Sequence, residues 1–198
     1  VCDVVQLKGL NRAFVKEGID VIAKKQRPGI EGLRAISSSK DIGVTELGFR
    51  IGPRINAAGR TGASDLGFRL LTSQSDDEVM AISERLNNLN QKRQNIEQTV
   101  LFEATNIIEE DLASKKLNSI PNSIVVNGEG WHLGVLGIVA SRLKEKYYRP
   151  SFVVSTNNGI STGSARSVSG IDVGELIIDA VNRGILNSGG GHKMAGGF

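Results

Sequence analysis

The chain has 198 residues, 39% of them hydrophobic, enough for one sizeable core or for two smaller domains with a connector. Its net charge of +3 is mild, so an anionic partner is permitted and not required. The single cysteine, Cys2, excludes a disulfide framework and a cysteine-type zinc site and suits a reducing cytosol, and no apolar run approaches the roughly 18 residues of a membrane span.

No signal peptide is visible, the first residue is Val1 rather than Met, and the chain stops abruptly at Phe198; a piece of a longer protein is expected. VCDVVQL reads as a short strand or strand end. NRAFVKEGIDVIAKKQ has helical apolar spacing through Phe14, Val15, Ile19 and Val21–Ile22 until Arg27-Pro28-Gly29 breaks it. A second short helical stretch, GIEGLRAISSS, follows. Residues 44–71 hold five glycines and four arginines, too much glycine for a quiet helix. A structured loop is expected there, then a helix from about Ser64 carrying Leu66, Leu70 and Leu71.

Ser75-Asp76-Asp77-Glu78 is a capping box for the clearest element, over 75–112. Apolar residues recur at Val79, Ile82, Leu86, Leu89, Ile96, Val100, Ala104 and Ile107, a stripe on one face, with Arg93 standing where the stripe would continue. Unbroken, that helix would reach roughly 50 Å at about 1.5 Å per residue, a length that suits a bridge between two domains. Residues 123–198 read as a separate α/β unit. SIVV is a buried strand, LGVLGIVASRLKEKYY a helix and SFVVS the next strand, which together suggest a crossover. GISTGSARS is a third strand or sheet edge, IDVGELIIDAVNRGI another helix, and NSGGGHKMAGGF ends the chain.

Four stretches could carry chemistry. Gly189, Gly190 and Gly191 can adopt positive φ, present successive N–H groups to an anion and let His192 add a donor; the plain alternative is a glycine-rich turn before a last strand. In Thr162-Gly163-Ser164-Ala165-Arg166-Ser167, the planar fork of Arg166 matches a phosphate's oxygens, with Ser164 and Ser167 as further donors; the alternative is a solvated sheet edge. In GPRINAAGR, Arg54 and Arg60 are separated by small residues, with Arg50 and Arg69 nearby. Several arginines on one face would follow a polyphosphate backbone, whereas pairing with Glu46 and Asp65 would leave a solvated loop. Gly128-Glu129-Gly130-Trp131-His132-Leu133-Gly134 has the wrong spacing for a dinucleotide fingerprint. It still places glycine and His132 at a helix start that could face an anion, with Trp131 expected in a core or interface.

A two-metal hydrolase needs clustered Asp and His ligands, and the sequence has no D-x-D, no Asp-His pair and no H-E-x-x-H; its two histidines stand 60 residues apart. No complete catalytic site is visible.

The runs GFRIGPRINAAGRTG, GEGWHLGVLGIVASRL, TGSARS and GGGHKMAGGF, in that order, resemble the RecJ family of bacterial single-strand-specific DNA exonucleases, within the DHH phosphoesterase superfamily. The resemblance covers essentially the whole chain. GGGH with a following A-G-G is shared across the superfamily, and the G-P-R-x-N-A-A-G-R run is particular to this family. The resemblance implies an α/β fold: a small mixed-sheet DHH-associated domain joined by a long linker helix to the helical tail of a DHH domain. Residues 1–74 would be that tail, 75–118 the linker helix, and 119–198 the substrate-binding DHH-associated domain, cut short at its C-terminus, with a further nucleic-acid-binding domain absent.

It also implies 5′-to-3′ degradation of single-stranded DNA in repair and recombination, with Mn²⁺ or Mg²⁺ held by DHH motifs that would precede Val1. The chain itself would bind no metal and be inactive. Ser164 and Arg166 fall on the family's S-x-R substrate-binding motif, Gly190, Gly191 and His192 on its G-G-H motif, and Arg54, Asn56 and Arg60 on the motif near the DNA path. His192 would steady the scissile or terminal phosphate opposite the metals. Two positions depart from the usual pattern, Ala165 within S-x-R and Gly196 after G-G-H, both small for small. A monomer in the cytoplasm is expected, with single-stranded DNA as partner, repair proteins as further partners and no membrane.

A second reading changes the substrate to short oligoribonucleotides or cyclic dinucleotides; those shorter family members generally lack the G-P-R-x-N-A-A-G-R stretch. A third is a non-catalytic nucleic-acid-binding module. With 5% aromatic residues, a base-stacking platform is not expected.

Overall fold

The computed structural model describes residues 1–198 apart from 3–4, 39–40, 61–62, 64 and 115–119. The chain packs as two units, Val1–Gln94 and Asn95–Phe198, and the division falls inside one long helix. No helix among the described residues is long and apolar enough to cross a membrane.

The first unit is helical: α1 (Gly9–Ala23), α2 (Pro28–Ile36), α3 (Val44–Glu46), a π turn (Leu47–Ile51), α4 (Gly52–Arg60), α5 (Leu66–Thr72) and the first half of α6 (Asp76–Ser114). Pro28 opens α2, where its missing N–H costs nothing. The loop expected over 44–60 is instead helical throughout. Pro53 explains the π turn, since it has no N–H for the usual bond and its ring would crowd the carbonyl four residues back. One widened turn relieves this, and the Gly52 N–H bonds to the Leu47 carbonyl five residues back. The helix survives its glycines because packing overrides propensity: Ile51, Ala57 and Ala58 are buried. Leu33, Ile51, Ala58, Leu66 and Leu70 form a core with Val79, Ile82 and Leu86 of α6. The start expected near Ser64 lies outside the described residues; α5 spans Leu66–Thr72.

The capping box at the start of α6 is half formed. Ser75 Oγ accepts from the Glu78 N–H at 3.4 Å. The Glu78 carboxylate turns instead to Arg69 Nη2, at 2.7 Å, and accepts from Ser73 Oγ, also at 2.7 Å. Those two bonds hold its pKa below the usual carboxylate range. The apolar stripe runs as expected except at its end, where Ile108 is buried and Ile107 is 37% exposed. The stripe steps by four from Val100 through Ala104, and the next such step reaches 108. Where it is interrupted, Arg93 Nη2 donates to buried Asn90 at 3.0 Å.

The second unit is a five-stranded sheet in the order β1-β2-β3-β5-β4. Its strands are β1 (Ile124–Glu129), β2 (Ser151–Asn157), β3 (Ile160–Arg166), β4 (Gly190–His192) and β5 (Ala195–Gly197). β1 and β2 are parallel and linked through α7 (Leu133–Tyr147), and the other pairings are antiparallel. Ile124, Val126 and Val153 pack with Val135, Leu136, Val139 and Leu143 of α7 and with Val100, Ala104 and Ile108 of α6. On the other face Ala165 packs with Val173 and Ile177 of α8 (Val173–Asn182). Trp131 belongs to the first of these cores, as expected, and its indole N–H donates to Glu103 Oε2 at 2.7 Å. Trp131→Phe keeps an aromatic ring there but loses the donor; thermal denaturation is expected to show a loss of about 1.5 kcal/mol.

The glycine-rich tail does not form the expected nest of positive-φ residues. None of Gly189, Gly190 and Gly191 has positive φ. Gly190–His192 is strand β4, turning through Lys193-Met194 into β5. Close approach is what demands glycine here. A Cβ on Gly189 would stand 2.6 Å from Ile177 Cγ2, one on Gly196 would strike Ile177 Cδ1, and one on Gly191 would strike the Ala195 carbonyl. The hairpin can therefore lie flat against α8 only without side chains on that face.

Candidate nucleic-acid interface

Strand alternation puts Ser164 and Arg166 on one face of β3 and Gly163 and Ala165 on the other. The register extends that face across the hairpin. Ser164 pairs with Gly197, which pairs with Gly190; Arg166 pairs with Ala195, which pairs with His192. Arg166 and His192 thus share a row and a face, two strand spacings or roughly 10 Å apart along the backbone, with only a methyl group between them. The parallel row from Ser164 has no side chain at Gly197 or Gly190. A methyl added at Gly190 would meet nothing within 4 Å, so the floor is open to solvent.

Each polar group on this face is held. Arg166 Nη1 donates to the Ala165 carbonyl at 2.8 Å and to Ser164 Oγ at 3.2 Å. Ser164 Oγ in turn donates to the Gly196 carbonyl at 3.4 Å. Exposed His192 accepts from the Met194 N–H at Nδ1, at 3.3 Å, so its neutral ring carries the proton on Nε2. The hairpin turn is tied down by the Ser167 N–H to the Met194 carbonyl at 2.9 Å and the Val173 N–H to the Lys193 carbonyl at 3.3 Å. Its backbone also runs close beneath α8: a Cβ on Gly174 would sit 3.0 Å from the His192 nitrogen. The result is a guanidinium, a hydroxyl and an imidazole N–H around a bare floor. These are directional donors of the kind that recognise a tetrahedral oxyanion. Ser167, the further donor considered from sequence, is fully buried and donates to the Ile171 carbonyl at 2.8 Å, so it supports the loop instead.

In the first unit, the helical form of α4 separates residues that a loop would have left unordered. Asn56 and Arg60 are four apart, share a face and are exposed. Arg54 is turned to α6: its Nε donates to Asn87 Oδ1 at 3.0 Å and its Nη1 to the Arg50 carbonyl at 2.6 Å. Burial, with Arg50's charge behind it, holds the Arg54 guanidinium below its ordinary pKa. Arg50 donates to the Ser37 carbonyl at 3.3 Å, and Arg69 pairs with Glu78 at 2.7 Å and Asp65 at 3.9 Å. The expected single face of arginines is therefore not formed. Glu46, the other acid considered as a partner, accepts from the Gly43 N–H at 3.0 Å.

His132 is the N-cap of α7, and its Nδ1 accepts from the Gly134 N–H at 3.1 Å. Among the described residues no group of three or more His, Cys, Asp or Glu side chains could hold a metal ion. The feature that sequence reasoning missed is Gly137, a glycine in the middle of α7 that lies against Arg166; its signal was a poor helix former inside a strong helical pattern.

The family profile described as DHHA1 domain matches residues 120–198. The single-stranded-DNA-specific exonuclease RecJ of Escherichia coli (strain K12) is 34% identical over the whole of this chain, which spans 35% of that protein. The crystal structure of Thermus thermophilus RecJ in complex with Mn²⁺ superposes with a TM-score of 0.83 at 35% identity, covering all of this chain and 28% of that one. The Mg²⁺ complex of the same protein gives 0.82 at 34% identity, covering all of this chain and 30% of that one. The chain thus spans about a quarter to a third of the length of the curated RecJ relatives it matches.

Proposed function

We propose that this chain, whose residues 120–198 match the DHHA1 domain profile and whose whole length is similar to one stretch of RecJ, is the DNA-binding part of a single-strand-specific exonuclease. The β3–β5–β4 face holds a backbone phosphate of single-stranded DNA. Arg166 and Ser164 bind it from one side, Gly190 and Gly197 leave it room, and Nε2 of His192 donates from the other. One observation carries this reading: the register that brings Arg166 and His192, 26 residues apart, into one row, and Ser164 and Gly190 into the next row of the same face.

In the full enzyme that phosphate is the terminal or scissile one, and His192 is the catalytic residue of this set, stabilising charge on a non-bridging oxygen. Mn²⁺ or Mg²⁺ would supply the activated water. The described residues assemble no ligand set for either ion, so no step of that chemistry is assigned to them. The chain alone is expected to bind single-stranded DNA and not to cut it. Digestion from the 5′ end, in repair and recombination, belongs to the same proposal.

Within α4, Asn56 and Arg60 contact the sugar-phosphate backbone, and Arg54 serves mainly to dock α4 on α6. Arg60→Ala should weaken binding to all sequences alike and lower the salt slope by about one. Arg54→Ala should instead lower the melting temperature of the first unit. A salt series of fluorescence anisotropy on oligothymidylate, beside thermal melts, checks both. An unchanged slope in Arg60→Ala would remove α4 from the proposed contacts.

A further inference from the structure

Gly137 is the fifth residue of α7, well inside a helix whose neighbours Leu136, Val139 and Ala140 are fully packed. Glycine is among the poorest residues for a helix interior, and alanine the best. Something other than helix stability therefore selects it. A Cβ built on Gly137 would lie 2.7 Å from Arg166 Nη2, 3.4 Å from Arg166 Cζ and 3.1 Å from Ser164 Oγ. The guanidinium is seated on bare helix backbone, with the hydroxyl beside it. Its other nitrogen is tethered to the strand through the Ala165 carbonyl and Ser164 Oγ. The Gly137 carbonyl is fixed in turn by a bond from Ser141 Oγ at 3.1 Å.

We infer that Gly137 is a positioning residue for phosphate binding: its missing side chain lets α7 act as the rear stop that holds the Arg166 guanidinium and Ser164 hydroxyl in place over the sheet. This rests on the phosphate reading above. The atoms a methyl would displace are the ends of two polar side chains, not backbone. The helix can keep its place while the guanidinium moves. That separates Gly137 from Gly191, whose Cβ would strike backbone. A bidentate donor is sensitive to such a shift, because its two N–H vectors must meet two oxygens together.

The test compares the parent chain with Gly137→Ala, Arg166→Ala and the double variant, using thermal melts, the Arg166 Nε–H NMR resonance and anisotropy with 5′-phosphorylated oligothymidylate. Gly137→Ala should melt at or above the parent temperature, as its helix propensity rises. It should shift the Arg166 resonance and weaken binding roughly fivefold, about 1 kcal/mol by the usual conversion. In the Arg166→Ala background its effect should shrink well below that fivefold loss, because it acts mainly through that side chain and only the Ser164 hydroxyl is left to disturb. An unmoved Arg166 resonance, or the same fold-loss in both backgrounds, overturns the inference. Arg166→Ala binding as tightly as the parent would be a different failure, that of the phosphate reading itself.

Discussion

Gly191→Ala is expected to unmake the β4–β5 hairpin. The added methyl would strike the Ala195 carbonyl and lie 2.6 Å from the Gly196 Cα, both backbone atoms of the paired strand. No rotamer change relieves that overlap, so β4 must move away from β5. Overpacking of this kind typically costs about 1–3 kcal/mol, and more where backbone has to shift. The loss should concentrate in the hairpin. The pairing of Gly163 with Phe198, whose two amide bonds measure 2.7 and 3.1 Å, should exchange its amide hydrogens early, while the core under α7 stays protected. Gly190→Ala is the informative contrast. Its methyl meets nothing within 4 Å, so stability should hold to within about 0.5 kcal/mol. That methyl projects from the bare floor in the row of Ser164 and Gly197, beside His192, and DNA affinity should fall. Hydrogen exchange and anisotropy on the two variants separate a glycine kept for packing from one kept for the ligand.

Arg166→Ala should carry the largest effect on binding. It removes the guanidinium of this face, and with it hydrogen bonds from a charged donor, each worth roughly 1.5–3 kcal/mol, so affinity for single-stranded DNA should drop roughly 10- to 100-fold. Arg166→Lys should restore little of it. An ammonium is a point charge without the planar fork, and it lacks the second nitrogen that lies over Gly137. Stability should change little in either variant, because Ala165 beneath it keeps its own packing with Val173 and Ile177.

The parts of this structure that can be read from sequence are those where one physical signal dominates. The stripe from Val79 to Ala104 has a single periodicity, and α6 follows it. Short runs of β-branched and aromatic residues at Ile124–Val126 and Phe152–Val154 form neighbouring parallel strands around α7. Ser164, Arg166 and His192 stand out because a cation, a hydroxyl and an imidazole sit among residues too small to be there for packing alone.

The differences between expectation and structure share a cause: glycine has two uses that look alike in sequence. At 189–191 it suggests freedom to adopt positive φ, and the structure uses it at 189 and 191 for close approach to Ile177 and Ala195. In GPRINAAGR the same residue, with proline, is a loop signal. There a π turn absorbs Pro53 and tertiary packing holds the helix. A loop gives Arg54 and Arg60 no defined faces, so nothing in the sequence distinguishes the residue that docks α4 from the one that faces solvent. The offset between Ile107 and Ile108 is of another kind, a one-residue ambiguity that only the facing core resolves.

The most direct measurement is an NMR titration of this chain with 5′-phosphorylated oligothymidylate, followed through backbone amides and arginine side chains at low and at physiological salt. Binding at the proposed face should shift Ser164, Arg166, Gly190, His192 and Gly197 together, along one saturation curve that weakens with salt. Shifts confined to other surfaces, with Arg166 and His192 still at saturation, would contradict a phosphate site on the β3–β5–β4 face.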